Sequence, residues 1–374
     1  MTTMKIWMLF TYSLACFVIP ACNQGGLGGP GTLETTSSAV SLEGPPGSSH
    51  EDKDDAADRC PSSTGLAALP GYKVRVWAKG TTEFSHPDAI ERDEKDIWVG
   101  FQNVTAKDGS DGKSSTVVEY TLEGRIERTF LVPGHCDGLR IDPATHLVWA
   151  SSNEDGNPGL ASIDPATGTV TLFTFDPTVH GGGFDDMAFV NGKMFIAASN
   201  PNLDASGVNV FPAVDQVTFQ GTHVVLTPVL QGNATAVDVT TGLQVTLNEV
   251  DPDSMSIDPA GDLVLTNQAG GELVFISNPG SMTQVVTRLG VATQLEDPTW
   301  VPLAKGKFLI VDGTTNTIYA VRAPFVPGTA YTETPDDSSI ASMFGTVDLK
   351  TGVVSPKIIG FKKATGLLFV PDVD

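Results

Sequence analysis

Short stretches of alternating apolar and polar residues, separated by turns that contain glycine, recur along the chain. In residues 250–267, VDPDSMSIDPAGDLVLTN, Asp253 precedes the alternation of Met255 and Ile257, and a turn at Gly261 leads to a second apolar run. Alternation with a period of two, bounded by Gly, Pro and Asp, predicts β-strands joined by tight turns. The stretch therefore predicts a β-hairpin with an aspartate at the start of its first strand.

This hairpin is one copy of a repeat. Five other segments align with it, and the residues assigned to the position of Asp253 in those segments are His86, Asp137, Asp185, Asp297 and Thr365. Neighbouring copies are 44 to 68 residues apart. A second apolar strand and then a further hairpin follow the first five copies, for example at residues 238–247 in the third. Four strands in roughly 45–50 residues are typical of propeller blades.

The repeats predict an all-β fold, a six-bladed β-propeller. Five units contain every strand, with residues 304–313 as the second strand of the fifth unit. The sixth unit has only its first strand, near residues 365–370. The strand at residues 72–78 is predicted to complete this abbreviated sixth blade, so that the N- and C-terminal strands close the ring. A five-bladed ring is the alternative, but it leaves residues 72–78 and 365–370 without partners.

The N-terminal region has the composition of a targeting segment followed by a linker. Residues 6–21 are rich in apolar side chains and lead into Cys22 through the letters IPAC, which resembles a bacterial lipoprotein signal. We predict a signal peptide over residues 1–21, lipidation at Cys22, a disordered tether over residues 22–65 and the propeller over residues 66–374. An ordinary secretory signal cleaved near Ala21 is the alternative. The tether is Gly-, Ser- and Pro-rich and then acidic, which predicts disorder.

The charge of the chain limits its partners. The formal net charge is −22, which argues against binding to nucleic acid or to an anionic membrane surface. We expect a monomer whose partner is a small-molecule ligand or an envelope protein, with membrane contact only through the N-terminal lipid. The expected location is the outer membrane or the cell surface, or the periplasm or the medium if the chain is not lipidated.

Two cysteines, Cys60 and Cys136, remain in the exported part after Cys22. In an oxidising compartment two thiols make one candidate disulfide, and a Cys60–Cys136 bridge would fix the end of the tether to the folded domain. Two separate thiols are the alternative.

A propeller would bring the repeated aspartates together, because the first strand of each blade lines the central channel. Asp137, Asp185, Asp253 and Asp297 are therefore predicted to converge at one mouth of the channel, where their mutual repulsion has to be offset by protons or by a cation. Oxygen ligands favour Ca²⁺ over zinc. His135 is a further candidate for the same mouth.

The motif around Asp253 also carries a resemblance. The letters PDSM at residues 252–255 resemble the Pro-Asp-Gly-Met motif of six-bladed propellers of the regucalcin, gluconolactonase and paraoxonase-like superfamily, and residues 137–139 and 185–187 are similar. The resemblance implies a divalent metal held by such an aspartate, which is also implicated in catalysis. The other ligands of that family are typically Glu and Asn, whereas this chain carries His, Asp or Thr.

Two functional hypotheses follow. The first is an exported propeller lipoprotein that is a divalent-metal-dependent hydrolase of lactones or esters, in which Asp253 or His86 acts as the general base. The second is a non-catalytic surface propeller that binds a ligand or an envelope protein. The sequence contains no phosphate-binding P-loop and no Gly-x-Ser-x-Gly nucleophile motif.

Overall fold

The computed structural model of the protein describes residues 64–335 and 341–372. The predicted signal peptide, Cys22, Cys60 and nearly all of the predicted tether lie outside these residues. The described residues form 27 β-strands and no α-helix, and no helix among them is long and apolar enough to cross a membrane. The predicted all-β class is confirmed.

The first ten strands include two complete blades. Two strands precede them, β1 (Ala67–Ala68) and β2 (Lys73–Lys79). Blade 1 consists of β3 (Pro87–Asp93), β4 (Asp96–Phe101), β5 (Ser114–Thr121) and β6 (Ile126–Pro133). Blade 2 consists of β7 (Cys136–Ile141), β8 (Val148–Ser152), β9 (Gly159–Ile163) and β10 (Val170–Phe173). Both of these blades are antiparallel meanders, in which strands that are neighbours in sequence are also neighbours in the sheet.

Blades 3 and 4 differ at their outer edges. Blade 3 consists of β11 (Met187–Val190), β12 (Lys193–Ala197), β13 (Pro212–Gln220) and β14 (His223–Gln231). The hairpin of β15 (Thr235–Asp238) and β16 (Gln244–Thr246) precedes blade 4, which consists of β17 (Pro252–Ile257), β18 (Leu263–Asn267), β19 (Glu272–Ser277) and β20 (Val285–Gly290). Strand β15 pairs parallel to β20, so the predicted hairpin at residues 238–247 extends blade 4, whereas β13 and β14 form the outer hairpin of blade 3.

The last two blades are interleaved along the chain. The remaining strands are β21 (Thr299–Trp300), β22 (Gly306–Asp312), β23 (Thr317–Arg322), β24 (Ala330–Thr334), β25 (Met343–Val347), β26 (Val354–Ile359) and β27 (Ala364–Pro371). Blade 5 has the order β21–β24–β25–β26–β1, and blade 6 has the order β27–β22–β23–β2. The N- and C-terminal strands therefore close the ring as predicted. The sixth blade is not abbreviated, because it takes β22 and β23 from the segment that had been assigned to the fifth unit.

The length of the inner strands explains this exchange. Strand β21 has two residues and lies between Pro298 and Pro302, and proline cannot donate a backbone hydrogen bond to a neighbouring strand. Strand β27 has eight residues and pairs with β22 along the whole length of β22. The long apolar strand β22 therefore pairs with β27 and not with β21.

Six buried hydrophobic clusters hold the blades together, one at each interface between neighbouring blades. Trp98 of blade 1 and Leu139 of blade 2 belong to one of them. Tyr120 of blade 1 and Leu309 of blade 6 belong to another, so the last blade packs against the first. Burial of a large apolar side chain contributes roughly 1.5–3 kcal/mol, so packing between blade faces stabilises the ring that the terminal strands close.

Aspartates also recur in the hairpin turns, where their role is local. Asp258 Oδ1 accepts hydrogen bonds from the backbone N–H groups of Ala260 at 2.8 Å and Asp262 at 2.9 Å. Gly261, with a φ of 86°, supplies the left-handed conformation that this turn needs. Three other aspartate side chains accept a hydrogen bond from a backbone N–H in the same way, namely Asp142, Asp164 and Asp348. These side chains stabilise the hairpin turns.

Candidate functional site

A β-bulge lies at the start of the inner strand in four blades. The register against the second strand shifts between Pro87 and Ile90, between Cys136 and Leu139, between Pro252 and Met255, and at the start of β27. The residues that follow the first strand residue at these bulges are Asp88, Asp137, Asp253 and Thr365. Bulges re-aim side chains and are frequent beside binding sites, and here they direct one polar residue from each blade toward the channel.

These residues line a cavity of about 190 Å³ at one mouth of the channel. Asp185 of blade 3 and Glu296, just before β21, line it as well. The lining contains ten carboxylate side chains and three basic ones, Lys107, Arg140 and Lys363. The cavity is therefore strongly acidic even after its own ion pairs are counted, and it attracts cations.

Six positions, one from each blade, form what we call the carboxylate ring: Asp88, Asp137, Asp185, Asp253, Glu296 and Thr365. The prediction that Asp137, Asp185 and Asp253 converge is consistent with this placement, since all three line the cavity. The sequence alignment was displaced in two blades, by two residues in blade 1 and by one residue in blade 5. The letters Pro87–Asp88, which repeat Pro252–Asp253, were the signal that identifies the correct register in blade 1.

His86, which was predicted as a catalytic residue, is not part of this cavity. Its side chain is exposed, its φ of 57° lies in the left-handed region, and its Nδ1 is 3.1 Å from Ser85 Oγ. Its backbone N–H donates to Asn316 Oδ1 at 3.2 Å. The structure therefore places Asp88, and not His86, at the cavity-lining position of blade 1, because the chain turns at His86 before the inner strand begins.

Asp297 lines the cavity but is already paired with a cation of the protein. Arg140 Nη2 lies 3.1 Å from Asp297 Oδ1, 2.6 Å from the Met255 carbonyl oxygen, and in contact with Asp186 Oδ2. Arg140 Nη1 lies 4.0 Å from Glu91 Oε2. Asp297 therefore compensates a buried guanidinium, and Glu296 is the residue of this segment that Gln268 holds beside Asp253. Metal binding by Asp297 stays a prediction.

Arg140 and Asp297 also line a second cavity, of about 840 Å³. Its other walls come from residues further along the same inner strands and from β21, among them Phe189, Ile257 and Trp300. The Arg140 ion pairs thus lie between the acidic cavity and a larger, partly apolar cavity at the opposite mouth.

The ring carboxylates repel one another and are poorly solvated. Burial raises the pKa values of Asp137, Asp185, Asp253 and Glu296 well above their usual range, and neighbouring carboxylates raise them further. Burial likewise raises the pKa of Asp88 to about 7, although Lys363 and Thr365 oppose this. This environment favours the protonated forms of these groups, and a bound cation would offset the charge of the ionised forms.

Amide and hydroxyl groups fix the orientation of the ring carboxylates. Gln268 Nε2 donates to Asp253 Oδ2 at 3.1 Å and to Glu296 Oε1 at 2.8 Å. Ser254 Oγ donates to Asp253 Oδ1 at 2.8 Å. In blade 1, Gln102 Nε2 donates to Asp137 Oδ1 at 3.3 Å. Because these donors occupy only part of each carboxylate, the remaining lone pairs are left for a cation.

Cys136 begins the inner strand of blade 2, directly before Asp137. It is the only cysteine among the described residues, its thiol is free, and it has no solvent exposure. Burial raises the pKa of the thiol well above its usual range. Cys60 lies outside the described residues, so the Cys60–Cys136 bridge stays a prediction.

The chain is similar in structure to several solved proteins, but its sequence matches no known family. No protein-family model matches the chain, and no curated protein matches it. A periplasmic gluconolactonase of Pseudomonas aeruginosa is similar in structure over 76% of this chain and 88% of its own, with a TM-score of 0.44 and 11% identity. A putative 6-phosphogluconolactonase of Bacteroides uniformis is similar over 75% and 73%, with a TM-score of 0.42 and 10% identity. Virginiamycin B lyase of Staphylococcus aureus is similar over 70% and 95%, with a TM-score of 0.41 and 11% identity.

Proposed function

We propose that the chain is an exported hydrolase of lactones or esters that depends on a divalent cation held by the carboxylate ring. The observation that carries this proposal is the set of five carboxylates directed into one cavity of about 190 Å³. Their donor atoms are oxygens, several of them fixed by Gln102, Ser254 and Gln268. A set of several carboxylate oxygens suits Ca²⁺, and Asp88, Asp137, Asp185, Asp253 and Glu296 would hold it.

When bound, the cation would polarise the carbonyl oxygen of a substrate. Asp253 is the candidate general base, because its carboxylate is fixed by two donors and its pKa is raised by burial and by Asp251. Asp253 would take a proton from a water molecule whose oxygen bonds to the carbonyl carbon. The bond between the carbonyl carbon and the leaving alkoxide oxygen would then break, and Asp253 would pass its proton to the alkoxide oxygen.

The cavity also restricts the substrate. Its volume of about 190 Å³ and its polar walls suit a small polyhydroxylated molecule. The excess of carboxylates over basic side chains disfavours substrates that carry a carboxylate or a phosphate. An uncharged sugar lactone or a small neutral ester fits these conditions.

The experiment compares Asp253→Asn with Asp176→Asn, a control at an exposed aspartate away from the cavity. Purified protein is loaded with Ca²⁺, its metal content is measured, and turnover of uncharged lactones and esters is followed by proton release. We expect Asp253→Asn to lower kcat by about 100-fold or more, as for the loss of a general base, and the control to match wild type. Metal-loaded wild-type protein that hydrolyses none of these substrates would contradict the proposal.

The alternative, a propeller that binds without catalysis, is favoured by one observation. The second cavity is larger, about 840 Å³, and includes apolar side chains such as Phe189, Trp300 and Leu367. Binding of a small ligand or an envelope protein at this mouth would leave the carboxylate ring with a structural role. Ca²⁺ that stabilises the protein without supporting any hydrolysis is the result expected for this alternative.

A further inference from the structure

We propose that His135, Asp137 and Glu154 form a second metal site, beside the carboxylate ring, that takes a first-row transition-metal ion such as Mn²⁺, Zn²⁺ or Co²⁺. His135 Nε2 and one carboxylate oxygen from each of the two acidic residues lie within 4.8 Å of one another. The site shares Asp137 with the ring and to that extent rests on the proposed function. It differs from the ring in its ligands, because it adds an imidazole nitrogen.

The hydrogen bonds of Thr105 assign the tautomer of His135. The Thr105 hydroxyl donates its only hydrogen to the Gln102 carbonyl oxygen at 2.7 Å, so it is an acceptor toward His135 Nδ1, 2.8 Å away. The Thr105 carbonyl oxygen, 3.1 Å from Nδ1, is a second acceptor. Nδ1 therefore carries the hydrogen, and Nε2 of the neutral ring has a free lone pair. A backbone carbonyl that accepts from the other ring nitrogen is the usual support of a metal-binding histidine.

His135 Nε2 then faces another acceptor. The imidazole is 7% exposed, and Nε2 makes no hydrogen bond to any described residue. It lies 3.4 Å from Asp137 Oδ1, so with Asp137 ionised two lone-pair atoms face one another in a buried place. A cation between the two atoms satisfies both.

The spacing and the donor types indicate the class of ion. Tetrahedral zinc with bonds of about 2.1 Å has ligand atoms about 3.4 Å apart, which is the separation of His135 Nε2 and Asp137 Oδ1. Imidazole nitrogen is a common ligand of Zn²⁺ and other first-row ions and a poor ligand of Ca²⁺. Glu154, in the loop that follows β8, is the third ligand, since its ligand atom lies within 4.8 Å of those of His135 and Asp137.

A lysine competes with a metal for this place. Lys107 Nζ contacts Glu154 Oε1, and its side chain is 52% exposed. Burial alone would lower the pKa of Lys107, but Glu154, Asp137 and Asp155 raise it above its usual range. The ammonium group thus supplies a positive charge where the metal would bind, and its exposed stem lets it leave toward solvent.

Co²⁺ is the probe, because its visible absorption changes when a nitrogen ligand enters the coordination shell. The purified full-length protein is titrated with Co²⁺ at neutral pH, together with His135→Gln, Lys107→Met and His86→Gln, a control at an exposed histidine. His135→Gln should raise the Kd for Co²⁺ by at least about tenfold, the effect expected for losing a ligand or its support, and should change the spectrum. Lys107→Met should lower the Kd, because the competing cation is gone, and His86→Gln should match wild type.

Several results would overturn the inference: no Co²⁺ spectrum in the wild type, an unchanged spectrum in His135→Gln, or a Kd in Lys107→Met that is equal or higher. If His135→Gln fails to fold, the spectrum of Lys107→Met decides, because Lys107 also lines the ring cavity and only a nitrogen ligand distinguishes the histidine site from the all-oxygen ring. Stabilisation by Ca²⁺ and lactone hydrolysis test the ring separately. If both fail while the Co²⁺ results hold, the proposed function falls and the histidine site stands.

Discussion

Arg140 Nη2 donates to Asp297 Oδ1 across 3.1 Å, a contact between residues 157 positions apart that joins blade 2 to the start of blade 5. The same nitrogen contacts Asp186 of blade 3 and the Met255 carbonyl oxygen of blade 4. One side chain therefore ties inner strands of four successive blades at the channel axis. This role is structural, because Arg140 compensates the buried charges of Asp186 and Asp297.

Replacing this central cation should be costly. Arg140→Met leaves Asp186 and Asp297 buried without their shared partner. Breaking a buried ion pair in this way typically lowers the free energy of unfolding by about 3–5 kcal/mol. Arg322→Met is the control, because its pair with Asp372 is largely exposed and such pairs contribute about 1 kcal/mol or less. Urea unfolding measures both. Equal losses in the two variants would mean that Arg140 does not organise the channel.

The register of the ring can be tested at blade 1. Asp88→Asn should weaken Ca²⁺ binding and reduce the rise in Tm that Ca²⁺ produces, because it removes one ring carboxylate and a ligand stabilises only the state that binds it. His86→Ala, two residues away, should leave both quantities unchanged, since the side chain is exposed and outside the cavity. Calorimetric titration and thermal unfolding measure the two effects. The opposite ranking of the variants would restore the alignment that places His86 in the ring.

The architecture was more accessible to sequence analysis than the site. Alternation and turn residues are local, so the repeat predicts strands, blades and closure by residues 72–78. The pairing of β22 with β27 depends on strand length and on Pro298 and Pro302, which a repeat alignment does not weigh. The alignment of the ring positions in blades 1 and 5 was displaced for a related reason. A bulge adds a residue at the start of a strand, and a shift of one or two positions changes which side chain faces the channel.

The loop residues Glu154 and Lys107 were not predicted to line the cavity. Glu154 follows β8 and Lys107 follows β4, and both reach the cavity from loops. A loop has no periodic pattern to signal which side chains turn inward. The role of His135 likewise depends on Thr105, a residue 30 positions earlier that only the fold brings into contact.

Lipidation stays a prediction that fractionation can test. Cys22→Ser should move the protein from the membrane fraction to the soluble fraction, because the thiol that receives lipid is lost and the acidic domain has little affinity for an anionic bilayer. Cys16→Ser is the matched control, since this residue lies within the predicted signal and would be removed. Membrane association that persists in Cys22→Ser would favour another anchor.

The last prediction concerns Asp215 on β13, a buried carboxyl remote from the ring. Burial alone raises its pKa to about 6 from the usual value near 3.8. The folded state holds the proton of the Asp215 carboxyl more tightly than the unfolded state does. The contribution of this proton to the stability of the fold is therefore complete below about pH 4 and is lost as the pH rises through about 6. Above that range the charged form costs about 3 kcal/mol.

Asp215→Asn removes this titration while keeping the shape of the side chain. The variant should therefore gain stability relative to wild type as the pH rises, by up to about 3 kcal/mol between acidic and mildly alkaline conditions. Asp176→Asn, at an exposed position, should show a constant difference from wild type. Urea unfolding across the pH range measures these differences. Parallel curves for wild type and Asp215→Asn would mean that the carboxyl at residue 215 keeps an ordinary pKa.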